Sequence, residues 1–163
     1  MEYVTQFGSL ADYRKGTIEI IDDDPSHYAF SNMFEVAAGA KPYEKIVVGK
    51  NMQYVLEAIR AEGTSEWRTC AHDEFALVMD GAVEIRLSTL DEPAVASGTE
   101  GSVRLPGEPS GRPMGRVRAR RGHMTLLPAG AAYQFHADEP SVILLQTIAG
   151  ADSVERWAEI CLT

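Results

Sequence analysis

Residues 67–87 read WRTCAHDEFALVMDGAVEIRL. From Phe75 onward short apolar runs alternate with polar residues at a period of two, the pattern of an antiparallel strand with one buried face. Asp80-Gly81 supplies a positive φ, so the arms Phe75–Met79 and Ala82–Leu87 are expected to form a hairpin and to pair. Upstream, alternate residues of a strand share a face, which sends Cys70, His72 and Glu74 to the same side. A second stretch has the same punctuation: Gly122, then Pro128-Ala129-Gly130, then Tyr133. Around these lie further strand-like runs, Met52–Ile59, Met124–Leu127, Ala132–Phe135 and Val142–Ile148.

Between the two stretches, residues 91–115 carry four prolines and five glycines, which cannot sustain a strand ladder, so a long inserted loop is expected there. The period changes after residue 150. Val154, Trp157, Ile160 and Cys161 form one apolar helical face, with Asp152 or Ser153 as its cap, predicting a short helix within 151–163. Residues 1–43 are mixed, carry an acidic patch at Asp22, Asp23 and Asp24, and read as an arm with one short helix. The organisation predicted is an arm over 1–43, a β-barrel over 44–150 with its insertion at 91–115, and a terminal helix over 151–163.

With 163 residues and 45% hydrophobic content, the chain can bury one core without disulfides or other staples. Two cysteines cannot make a disulfide framework, and the first residues lack the basic and apolar regions of a secretion signal, so a cytoplasmic setting is expected. No apolar run approaches the roughly 18 residues of a membrane span. A net charge of −9 excludes nucleic acid as the expected partner, since phosphate binding depends on clustered Lys and Arg. One basic segment stands out, comprising Arg104, Arg112, Arg116, Arg118, Arg120 and Arg121 with Glu108 as its sole acid. It reads either as a solvated strand edge or as a docking surface for an acidic partner, with Arg118, Arg120 and Arg121 as the docking candidates.

The candidate chemistry is incomplete. His72 and Glu74 supply two donors, but an open iron site needs two imidazoles and a carboxylate, and His136, three residues past Tyr133, falls on the opposite face. No metal is therefore expected in this chain. Glu74 reads as a buried carboxylate bonded to His72, Arg68 or Tyr133, because an unpaired buried charge is costly. His72, Glu74 and Tyr133 could instead do metal-free acid–base work, and Trp67 at the start of the same strand reads as a packing residue or a rim contact for an aromatic ligand.

Glu74 followed, after six intervening residues, by Gly81, together with Gly122, Pro128 and Gly130, resembles the paired signature of the cupins, small antiparallel jelly-roll β-barrels that hold a metal through three histidines and a glutamate. Only the glutamate is where that family places it. The two motif histidines fall on Arg68 and Cys70, or on Trp67 and Thr69, and the third falls on Tyr133. Segments 67–87 and RRGHMTLLPAGAAYQFHADEPSVILLQTIAG (120–150) further resemble the small subunit of the two-component hydroquinone 1,2-dioxygenases. That resemblance implies an all-β, cupin-type barrel without iron of its own. Its partner would be a larger cupin subunit that holds Fe(II) in a heterotetramer and opens hydroquinone with O2 to 4-hydroxymuconic semialdehyde. Two other readings stand beside it: a self-sufficient cupin enzyme, either an atypical iron dioxygenase or a metal-free isomerase using His72, Glu74 and Tyr133, and a small-molecule-binding barrel without catalysis.

Overall fold

The computed structural model describes residues 8–11 and 32–160; the Asp22–Asp24 patch, His27 and Cys161 lie outside them. Helix α1 (Met33–Gly39) begins at Asn32, whose side-chain oxygen accepts from the amides of Phe34 at 3.0 Å and Glu35 at 3.3 Å, satisfying two of the orphan donors at a helix start. Then follow β1 (Lys45–Asn51), β2 (Tyr54–Thr64), β3 (Arg68–Cys70), β4 (Glu74–Asp80), β5 (Ala82–Ser88), β6 (Ser102–Arg104), β7 (Pro113–Arg120), β8 (Met124–Leu127), β9 (Ala132–Ile148), β10 (Ser153–Val154) and the short helix α2 (Trp157–Ile160). The ten strands form one curled sheet, an all-β, cupin-type barrel with a short C-terminal helix. Among the described residues no helix is long and apolar enough to cross a membrane.

The 17-residue β9 organises the sheet. Its second half lies between β2, where Leu56 faces Gln146, and β4, where Phe75 faces Gln146; its first half lies between β3 and β5. Inward-facing residues at every second position of these strands make the main core: Ile59, Ala76, Val78, Val83, Ile85, Leu127, Phe135, Ile143 and Leu145. On the outside, Val36 of α1 and Ala40 just past its end lie over Ile46 and Ala58 as a smaller second core.

Asp80-Gly81 does not make the expected hairpin. β4 and β5 pair with successive parts of β9 rather than with each other, so they are two halves of one ribbon that bends at Gly81. The cause lies across the ladder. At Gly81 φ is +75°, and a Cβ there would run into the Ser141 side chain of β9, whose hydroxyl oxygen takes the Ala82 amide at 3.2 Å. Positive φ serves a bend as well as a turn, and the neighbouring strand selects between them.

The Pro/Gly-rich interval 91–115 contains β6 and the start of β7. β6 is only three residues long and pairs with β3, while β7 pairs with β5 alone among the described residues; Pro113 sits at its first position, where a missing amide costs no ladder bond. Asp152 and Ser153 do not cap a helix, because both side chains are taken up by charged groups of the barrel, and α2 starts at Trp157.

Candidate functional site

β3 and the following turn bring three donors together. Cys70 Sγ lies 3.2 Å from His72 Nδ1 and 3.3 Å from Nε2, and the donor atoms of Cys70, His72 and Glu74 all lie within 4.8 Å of one another. Thr147 of β9 ties the group to the sheet: its hydroxyl donates to Glu74 Oε1 at 2.6 Å and lies 3.0 Å from His72 Nε2, toward which the Ile148 amide also points at 3.2 Å. Glu74 is fully buried, and its Oε2 makes no well-formed hydrogen bond. Burial, reinforced by the Glu74 charge, pushes the Cys70 thiol up to about 11.

Arg68 stands opposite Tyr133 in the β3–β9 ladder, so both side chains leave the interior face, as do Cys70 and Glu74. Of the two histidine alignments read from sequence, this selects Arg68 and Cys70. Tyr133 is buried against Phe135, with ring centroids 5.4 Å apart. Burial first, then the nearby Glu74 carboxylate, holds its phenol well above the ordinary range, and its hydroxyl makes no well-formed hydrogen bond.

The arrangement does not fit the iron of the cupin motif. Arg68 takes one imidazole position with a guanidinium, which has no lone pair to donate. That guanidinium is engaged elsewhere, with Ser102 Oγ at 2.9 Å and Asp152 Oδ2 at 2.6 Å. Burial opposes ionisation of Asp152, but hydrogen bonds and charges from Arg68 and Arg104 prevail and keep its carboxyl below the usual range. Ser102 Oγ also receives Lys45 Nζ at 2.9 Å, and Lys45 pairs with Glu57 at 3.0 Å in a contact almost wholly out of water. Glu57 Oε1 in turn accepts from Ser153 at 2.5 Å. The void beside Tyr133, Arg68, Phe135 and Leu145 is about 10 Å³, room for one water and none for an aromatic ring.

Two solved structures match this chain from end to end. Hydroquinone 1,2-dioxygenase PnpCD in complex with Cd2+ and 4-hydroxybenzonitrile contains a chain 56% identical, with 99% of this chain and 98% of that one covered and a TM-score of 0.91. Hydroquinone 1,2-dioxygenase from Sphingomonas sp. TTNP3 with 4-hydroxybenzoate bound contains one 57% identical, with 99% of each chain covered and a TM-score of 0.92. The chain belongs to the hydroquinone 1,2-dioxygenase family. A chain in PnpCD in complex with Fe3+ also aligns, at 13% identity and TM-score 0.65, over 86% of this chain but 39% of that one, which shows a shared fold alone. No protein-family model and no curated protein matches the chain.

In this chain the structure gathers His72, Glu74 and Tyr133 but sets Trp67 apart. Trp67 lines a cleft of about 390 Å³ with Arg86, Pro109 and Pro113 under the inserted segment. His136 lies away from the group, bonded to Thr64 at 2.8 Å and Asp138 at 3.1 Å. Arg118 reaches Glu84 at 3.3 Å on the exposed face of β7, and Arg121 donates to the Gly8 carbonyl at 2.7 Å. Lys45, Glu57, Ser102 and Thr147 were not singled out from sequence, and Asp152 was read only as a helix cap. For Glu57 a signal existed: Val55, Glu57, Ile59 and Ala61 share one strand face, and the other three are core residues.

Proposed function

We propose that this chain is the small, non-iron subunit of an Fe(II)-dependent hydroquinone 1,2-dioxygenase. In this reading a larger cupin subunit holds the iron and converts hydroquinone and O2 to 4-hydroxymuconic semialdehyde, in a cytoplasmic assembly of two copies of each chain. The observation that carries it is Arg68: a guanidinium locked to Ser102 and Asp152 stands where the cupin motif needs an imidazole. The void beside Tyr133 agrees, since about 10 Å³ cannot admit a phenol. The alignments point the same way, because PnpCD contains both a chain of this length and one of which this chain covers 39%.

A partner also has a face to cover. Leu56, Gln146, Phe75 and Leu126 stand in one row across β2, β9, β4 and β8, all on the outer surface, with Met124 beside them. Exposed apolar side chains grouped in this way mark an interaction site. We assign it to the larger subunit, with Arg118 and Arg120 of the neighbouring β7 edge, and Arg121 just past it, contributing complementary charge. Expressing this chain alone and with the larger subunit tests the reading. Iron and ring cleavage are expected only in the co-expressed complex. Stoichiometric iron with full turnover from this chain alone would overturn it.

A further inference from the structure

β7 and β8 form an open edge of the sheet. β7 pairs with β5 and β8 with β4, and among the described residues no strand lies on their other side. Because β4 and β5 are one ribbon bent at Gly81, β7 and β8 follow it as a second ribbon, bent at 121–123.

Two contacts show where the main-chain groups of this ribbon point. The Arg121 amide donates to the Gly81 carbonyl at 3.3 Å, so Ala82 and Arg120 face each other without mutual hydrogen bonds. Every second pair along the ladder is then of the same kind, namely Glu84 with Arg118 and Arg86 with Arg116. On the other side of the bend the Val78 amide donates to the His123 carbonyl at 3.0 Å, which puts Leu77 with Met124 and Phe75 with Leu126 in that class too. The amides and carbonyls of Arg116, Arg118, Met124 and Leu126 therefore point off the edge. The edge is closed at the bend, where the Arg120 amide donates to His123 Nδ1 at 3.0 Å and its carbonyl accepts from the His123 amide at 2.9 Å.

We infer that this edge is a strand-addition site, to which an extended segment of the larger subunit pairs through its main chain, with acidic side chains beside the arginines and apolar ones beside Met124 and Leu126. This rests on the small-subunit reading above. Charge supports it. Residues 113–127 contain four arginines and no acid. In the adjoining β5 one carboxylate, Glu84, serves Arg86, Arg118 and Arg116 at 2.9, 3.3 and 3.6 Å, which leaves positive charge uncompensated. The edge of a second copy would bring only like charge to these arginines, whereas an acidic segment neutralises them. Exposure supports it as well. Arginines alone would suit an edge guarded against pairing. Met124 and Leu126, 62% and 44% exposed, do not belong on a guarded edge, and Phe75 opposite Leu126 continues into the apolar row assigned to the larger subunit.

Hydrogen exchange resolved to single residues, on this chain alone and on the complex co-expressed with the larger subunit, tests the assignment. In the chain alone the Arg116, Arg118 and Leu126 amides are expected to exchange freely, while those of Val117 and Ala119, bonded to β5, are protected. In the complex the first three should slow by about 100-fold or more. Arg118→Pro removes an amide that β5 does not use, a change an edge strand tolerates, and should weaken capture of the larger subunit by about 10-fold while Val117 and Ala119 stay protected. Arg118→Gln keeps the amide and should weaken capture by only about 3-fold, mostly at low salt. Unchanged exchange at Arg116, Arg118 and Leu126 in an iron-loaded, active complex would overturn the inference and leave the small-subunit reading standing. Protection of those amides in the chain alone would overturn it too, since the chain would then cover its own edge, as would wild-type capture by Arg118→Pro. Iron with full turnover from this chain alone would overturn both.

Discussion

The apolar core around Ile85, Phe135, Ile143 and Leu145 and the polar chain running from Glu57 through Lys45, Ser102 and Arg68 to Asp152 occupy the interior of the same sheet, yet they answer to different physics. The apolar group is held by area removed from water, a term that is local and forgiving, because each side chain contributes on its own account. The polar chain is held by mutual satisfaction. Lys45 and Glu57 are 4% and 0% exposed, so each is tolerable only while the other remains. The lesson is that the interior of a cupin barrel need not be an ordinary hydrophobic core, since protein cations, Lys45 and Arg68, lie within it.

Removing one partner of the buried pair should do the most damage. Lys45→Ala is expected to cost about 3–5 kcal/mol in urea unfolding, because it strands the Glu57 charge, whereas the double variant Lys45→Met, Glu57→Leu should recover most of that loss. Full stability in the single variant would erase the distinction between the two regions. Leu145→Ala, in the apolar group, should cost about 2–5 kcal/mol and should not be rescued by a change at Glu57, since the two contributions are separate. The smallest effect on stability belongs to the surface. Reversing Arg118, Arg120 and Arg121 to Glu should shift unfolding by no more than about 0.5 kcal/mol per site, while slowing capture of the larger subunit in a salt-dependent manner. Unchanged association kinetics would remove β7 from the interface.

The sequence carried the barrel because period-two alternation in 124–127, 132–135 and 142–148 depends only on which face each residue prefers. The convergence of Cys70, His72 and Glu74 has another origin, because β3 ends at Cys70 and a bend carries His72 back to Thr147 before β4 begins. The sequence misdirected the Asp80-Gly81 reading because a bend and a hairpin ask the same φ of glycine, and what separates them, Ser141 opposite, is sixty positions further along the chain. The ion network was illegible for a related reason. Lys45, Glu57, Ser102 and Asp152 come from four separate segments, and no local pattern records that Ser102 receives both Lys45 and Arg68. Asp152 and Ser153 satisfy every rule for a helix cap, but tertiary charges compete for their side chains and win.

The placement of β9 bears on how this protein comes into being. The strand that β2, β3, β4 and β5 all pair with spans Ala132–Ile148, so every ladder through the middle of the sheet waits for residues made after β1 to β8. During synthesis the earlier strands must remain unpaired along their longest edges, and folding must close loops of many tens of residues almost at once. Such a nascent chain is exposed to wrong pairings until β9 emerges, which makes prompt capture, by a chaperone or by its own late strand, part of what the topology demands.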